Sequence, residues 1–468
     1  MMRSLYSGVS GLQNHQTRMD VVGNNIGNVN TYGFKKGRAN FQDILSQTLT
    51  GAARPTEEIG GVNPKQVGLG MTIAAIDTLH TQGALQTTGV NTDVAILGEG
   101  FFIQNAGNST FYSRNGALSV DANGLLVNPA NGFKVQGFAS KENPDGTVTI
   151  NKQGGLADII IPVGAKDAAK ATSIIKYQSN MNSLTPVIAA NASETDMMKG
   201  TVVTTINAYD SRGNVQELNL SFRKNLDQAG AAIPNEWVAT VAITDKQGRQ
   251  IEGLKAGVDA ATAQAGNAQF IMTFDTKGAV MAVRDMNQAA GQGKGTGAGE
   301  SLEVSVGYNV AGSEPMNIRL SLGSSGRYDG VTQFAAPTST KAYYQDGRNM
   351  GYLEGFKIDD SGVITGSYSN GTSKALGQLA LATFTNAGGL EKSGESYYVE
   401  TNNSGMAMVD APGERVAGKV KAGALEMSNV DLSEEFTSMI VTQRGFQANS
   451  RTISTSDEML RELINLKR

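Results

Sequence analysis

The chain has no cysteine, one tryptophan and two histidines in 468 residues. A disulfide framework is excluded and the usual zinc ligands are missing, so neither a metal nor a cofactor is expected. Charge of one sign is missing too: 39 Lys and Arg face 43 Asp and Glu, a formal charge of -4. That balance offers no basic field for nucleic acid. No apolar run approaches the roughly 18 residues that cross a bilayer, and the N-terminus shows neither an apolar h-region nor a small-residue cleavage site. A soluble chain is expected, without membrane insertion, and exported, if at all, without a cleaved signal peptide. Catalytic groupings are equally scarce. There is no Gly-x-Ser-x-Gly elbow, and neither His15 nor His80 has a sequence partner. His15 is expected as a solvated helix side chain and His80 as a polar residue near a strand end. The reading is a non-enzyme, stabilised by packing and assembly.

What is present divides the chain by position. With 40% apolar and 18% charged residues, a packed core is available, and the length exceeds what one core organises, pointing to about three domains. The two ends read as helices. Leu5, Val9, Leu12, Met19, Val22, Ile26 and Val29 form one narrow stripe at helical spacing. Met439, Phe446, Ile453 and Leu460 recur every seven residues, with Phe436, Leu463, Ile464 and Leu466 beside them. Asp431 and Ser433, ahead of Glu434 and Glu435, place a capped helix start near Leu432. Periodicity alone allows these helices either to pack on a globular core or to pair as a coiled coil. Gln443, Ser450 and Asp457 make the seam polar for a monomer core.

The middle reads as β. Asp-x-x-Gly recurs at Asp121, Asp210, Asp245, Asp275 and Asp359, five turn signals that predict antiparallel hairpins. None has the alternating oxygen ligands and closing Glu of a calcium loop. Gly291 to Gly299 departs from a phosphate loop, because Gly295 rather than Ser or Thr follows Lys294 and Gln288 stands where the first Gly belongs. A flexible exposed loop is expected there.

Two terminal motifs carry a resemblance. Ser4 to Leu12 (SLYSGVSGL) followed by Asn24 to Lys36 (NNIGNVNTYGFKK) resembles the N-terminal signature of flagellar rod and hook proteins. Gly423 to Leu432 (GALEMSNVDL), continuing through Gln443 to Asn449 (QRGFQAN), is similar to that superfamily's other end. Gly351-Tyr352-Leu353 and Gly362 through Gly371 resemble a segment of the hook family, whose spirochaete branch the chain looks like. The resemblance implies a mainly β, multidomain chain with paired coiled-coil terminal helices. Residues 1–30 and 425–468 would form the coiled-coil domain and 31–72 a connecting segment. Residues 73–143 and 335–424 would form an inner β domain, with an outer β domain inserted at 144–334. It also implies a structural, homopolymeric subunit of a curved, bendable tube that transmits motor torque. The implied partners are rod, hook-cap and hook-filament junction proteins and the flagellar export apparatus. The tube would lie in the periplasm in a spirochaete and outside the cell otherwise. A distal-rod protein is the alternative, and a secreted β-rich adhesin, which needs no terminal heptads, is a more distant one.

In that branch a residue matching Ser179 is a Cys that becomes dehydroalanine and is joined to a neighbouring subunit's Lys, matching Lys166, as lysinoalanine. Thiolate leaves more readily than hydroxide, so a serine here departs from the pattern. The other reading is an ordinary surface Ser and Lys.

Overall fold

In the computed structural model all five Asp-x-x-Gly turns close in one way, and they set the strand directions. In each, Asp Oδ1 accepts the backbone N–H groups two and four residues on, as Asp121 does from Asn123 and Leu125 at 2.9 and 2.7 Å and Asp210 from Arg212 and Asn214 at 2.9 and 2.8 Å. Asp245, Asp275 and Asp359 repeat it. The glycine takes a positive φ of 74–87°, which a side chain resists. Asp227, which escaped the sequence reading, likewise accepts through Oδ1 from the N–H of Ala231 at 2.8 Å, with Gly230 at φ 83°.

The structure describes residues 2–466 except 53, 56–59, 108, 144–146, 189–191, 228–229, 252–254, 258–263, 266–267, 287, 289–292, 296, 298, 310–312 and 416. The molecule is mainly β with a helix at each end, α1 (Met2–Gly27) and α3 (Leu432–Leu466), and a short helix α2 (Glu194–Gly200) between them. No described helix is long and apolar enough to cross a membrane.

The chain divides into two units. The first comprises Met1–Val163, Glu354–Ser367 and Ser373–Arg468. Its β core gathers Phe101, Ile103, Tyr112, Phe138, Phe384 and Tyr398, around a sheet in which Phe101–Ala106 pairs with Ser109–Ser113 and Lys134–Glu142 with Ser373–Leu379. A separate pair, Gly37–Asp43 with Met71–Thr78, supports α1. A hairpin of Ser46–Thr50 and Lys65–Gly68 pairs only with itself.

The second unit, Gly164–Leu353 with Tyr368–Thr372, is a two-layer β sandwich. One sheet runs Val202–Tyr209, Val215–Leu226, Ala232–Thr244, Gln269–Phe274 and Val280–Asp285, all antiparallel. Burial alternates residue by residue from Val215 to Phe222 and along Ser301–Tyr308, the period of a strand with one face in the core. Trp237, Phe222, Phe270 and Tyr177 fill the space between the layers. Not every pair is antiparallel. Ile174–Asn182 runs parallel to Met316–Ser324 and to Val331–Phe334, and antiparallel only to Ser339–Gln345.

The expected exposed loop at Gly291 to Gly299 is corrected in part. Residues 291, 292, 296 and 298 lie outside the described residues, but Lys294 exchanges both backbone hydrogen bonds with Val283 at 3.0 Å, and Gly295 is buried. Main-chain pairing does not depend on side-chain type, so glycine content alone did not show this bridge.

Candidate assembly interface

The terminal helices lie antiparallel. Ser4 Oγ and Ser456 Oγ are 3.2 Å apart, and at the other end Asn25 Nδ2 donates to Glu435 Oε2 at 3.2 Å. Between these points the helices approach through small residues. A Cβ on Gly8 would stand 2.9 Å from Ile453 Cγ1, one on Gly11 2.6 Å from Asn449 Nδ2, and one on Gly445 2.7 Å from the His15 ring. The buried positions are Gly8, Gly11, Val22 and Asn25 on α1 and Glu435, Thr442 and Ser456 on α3. His15 is therefore not solvated. It sits against Gly445 with Nδ1 buried and Phe41 at its edge, and burial, with Arg18 beside it, pushes its pKa down.

The expected seam flanks this contact line. Leu5, Leu12, Met19, Ile26, Met439, Ile453 and Leu460 are half-buried, and Val9 and Phe446 are exposed. Tyr6, Phe436, Ile440, Val441, Ile464 and Leu466 are exposed as well, Ile440 at 58% and Leu466 at 82%. Asp431 caps α3 as expected, Oδ1 accepting from the N–H groups of Ser433 and Glu434 at 2.8 and 3.3 Å.

At the roots of the helices the two terminal motifs meet. Gly33, at φ 69°, donates its N–H to the Glu426 carbonyl at 2.8 Å. Lys35 Nζ, fully buried, donates to Glu426 Oε1 at 2.6 Å and to the Thr81 carbonyl at 2.8 Å. Gly83 N–H also reaches Oε1 at 2.9 Å, and Arg114 Nη1 lies 3.4 Å from Oε2. One buried carboxylate thus holds four chain segments. Burial pushes the Lys35 pKa down and Glu426 opposes it. His80 lies just past the strand Met71–Thr78, near a strand end as expected, half-buried beside this cluster and edge-on to Phe101 and Tyr398. Burial, and then Arg114, Lys35 and Lys392, push its pKa down to about 4. Sequence reasoning passed over Lys35, Glu426 and Arg114 as functional residues, although two of them lie inside the quoted motifs. An acid in one motif and a base in the other was the available signal.

In the second unit, Lys166 is exposed, with its Nζ 5.9 Å from the Tyr352 ring centroid. Ser179 is not a surface serine. It lies between Val331–Phe334 and Ser339–Gln345, 5% exposed, with no hydrogen-bond partner for Oγ among the described residues. No contact between Lys166 and Ser179 is seen within the chain.

Residues 5–35 match the family described as flagella basal body rod protein, and 421–466 the flagellar basal body rod FlgEFG protein C-terminal family. Between them, 95–174 match the flagellar hook protein FlgE/F/G D1 domain and 176–348 the flagellar basal body protein FlaE D2 domain. Flagellar hook protein FlgE of Treponema pallidum is 50% identical to this chain over the full length of both, and that of Borreliella burgdorferi 48% over the full length of both. The chain belongs to the flagellar hook protein family. As a hook protein it is a structural subunit. The distal-rod alternative is not favoured, because the rod protein FlgG of Bacillus subtilis, also matched over its full length, is 29% identical. The fold agrees with a Helicobacter pylori hook protein FlgE2 structure, at a TM-score of 0.50 and 15% identity over 73% of this chain and all of that one.

Proposed function

We propose that this hook protein polymerises through its paired terminal helices into a curved tube that carries torque, with the expected seam as part of the contact between copies. The supporting observation is the row of apolar side chains on both helices that the single chain leaves uncovered, Val9, Phe436, Ile440, Val441 and Phe446 among them. Contacts of this heterologous kind need not close into a ring, and they then generate an open helical filament. Residues 1–30 and 425–468 form the inner coiled-coil domain and 31–72 the connection; the rest of the first unit is the inner β domain, and the second unit, Gly164–Leu353 with Tyr368–Thr372, is the outer one in place of the expected 144–334. Its partners are further copies, the rod, cap and junction proteins and the export apparatus. The similarity to spirochaete hook proteins supports a periplasmic tube.

Truncation before Ile453 removes the distal part of the seam while sparing every strand. The expected product keeps the thermal transition of the second unit and forms no tubes by electron microscopy. Leu460→Asp should likewise block assembly, at a cost of several kcal/mol per subunit, on the order of burying an unpaired charge. Tubes from either variant would overturn the assignment.

We also propose a covalent link between Lys166 of one copy and position 179 of the next. The link requires dehydroalanine at position 179, which a Cys gives by loss of sulfide and a serine only by the harder loss of water; the Lys166 amine then adds to its Cβ, the amine proton passing to Cα. The accessible amine and the unengaged Oγ support it; the buried position requires the elimination and addition to occur while the strand is opened. Heating tubes in detergent and reductant should leave high-mass ladders, lost in Lys166→Ala tubes. Complete dissolution to monomers with no joined peptide by mass spectrometry would sink the link.

A further inference from the structure

Helix α3 outruns α1. Ser4 pairs with Ser456 and Gly8 lies against Ile453, so the described part of α1, from Met2 onward, reaches near the level of residue 459. Leu460–Leu466 then project by about 10 Å at 1.5 Å per residue. This overhang carries Leu463, Ile464 and Leu466, all exposed. An apolar helix tip of about two turns is unstable in water without a partner.

At the opposite end of the same helix pair is a cavity of about 490 Å³. Asn24 of the last turn of α1 and Asn28 just past it border the cavity, and Tyr32, Phe34, Tyr397 and Tyr398 supply aromatic walls. Lys392 lies at its side, Nζ 5.3 Å from the Phe34 ring centroid and donating to the Lys35 carbonyl at 3.3 Å. The hairpin lining the cavity turns through Glu395 and Ser396, both left-handed at φ 49° and 63°. Positive φ at both positions is what a two-residue hairpin turn between Gly394 and Tyr397 requires.

We propose that the α3 overhang of one copy seats in this cavity of a second copy. The occupant is a second copy because the family forms a polymer of itself, and because tip and cavity stand at opposite ends of one helix pair. A tip-to-cavity contact is heterologous and leaves a free tip and a free cavity at each step, so it propagates. The tip carries Arg461 and Glu462 and the cavity Lys392 and Glu395, one charge of each sign on either side. The contact rests on the polymer reading above and assigns it an axial joint.

The absence of cysteine makes paired probes specific. Chains carrying Leu463→Cys and Glu395→Cys are mixed, assembled and mildly oxidised. The expected result is mixed disulfide dimers, at least tenfold more abundant than in the unassembled mixture and absent from polymers of either variant alone. Polymers that form but give no mixed dimer overturn the docking and leave the hook reading standing. Failure of the unsubstituted chain to polymerise alongside overturns both. Should the cysteine chains assemble poorly, Glu395→Trp is the second test: filling the cavity should raise the concentration needed for growth at least tenfold while the thermal transitions stay in place. Unchanged growth refutes the docking.

Discussion

Glu426→Gln is expected to lower the thermal transition of the first unit by on the order of 10 °C, a loss of about 3–5 kcal/mol. The substitution keeps the shape of the side chain and removes the only carboxylate that Lys35 and Arg114 are seen to share. Two cations at 0 and 2% exposure then lie in the interior without their counter-charge. Calorimetry on the full chain reads the effect, and the second unit's transition serves as an internal reference. Lys36→Ala, which breaks the exposed pair with Glu434, should move the first transition by under about 1 kcal/mol. Equal shifts from the two variants would show that the buried cluster contributes no more than a surface ion pair.

Gly8→Leu combined with Gly11→Leu should abolish assembly and separate the terminal helices, leaving both β cores folded. The leucines would need the space held by Ile453 and Asn449, whose atoms stand within 3 Å of where the new Cβ carbons begin. Overpacking of this kind typically costs about 1–3 kcal/mol per site. A helix pair with few buried apolar side chains has little to offset that. Expected signatures are a loss of amide protection in α1 and α3 by hydrogen exchange and no tubes by electron microscopy. Tubes of normal length would show that the close approach of the helices is not required for assembly.

The features legible in the sequence are those whose cause is local. Asp431 marks the start of α3 because an N-cap is decided within a few residues, and Asp-x-x-Gly marks each turn because one carboxylate and one positive φ suffice to close it. Features decided across the chain were hidden. Lys35 and Glu426 are 391 residues apart, and a base in one terminal motif with an acid in the other is the one trace that they meet. Ser179 is buried because Val331–Phe334 and Ser339–Gln345 flank its strand, a parallel and an antiparallel partner that alternation cannot distinguish. At the helix pair the seven-residue period pointed to Met439, Phe446, Ile453 and Leu460. The intrachain contact follows Glu435, Thr442, Asn449 and Ser456, four residues before each, where polar side chains give no hydrophobic signal. Gly8, Gly11 and Gly445 matter there for the side chains they lack.

The opposed direction of α1 and α3 has an electrical consequence. Each helix carries about half an elementary charge at either end, positive at its start and negative at its finish. Along the length they share, the two dipoles point in opposite senses and largely cancel. Copies stacked through such pairs add little net polarity with each step, so a long polymer accumulates almost no field along its bore from its backbone.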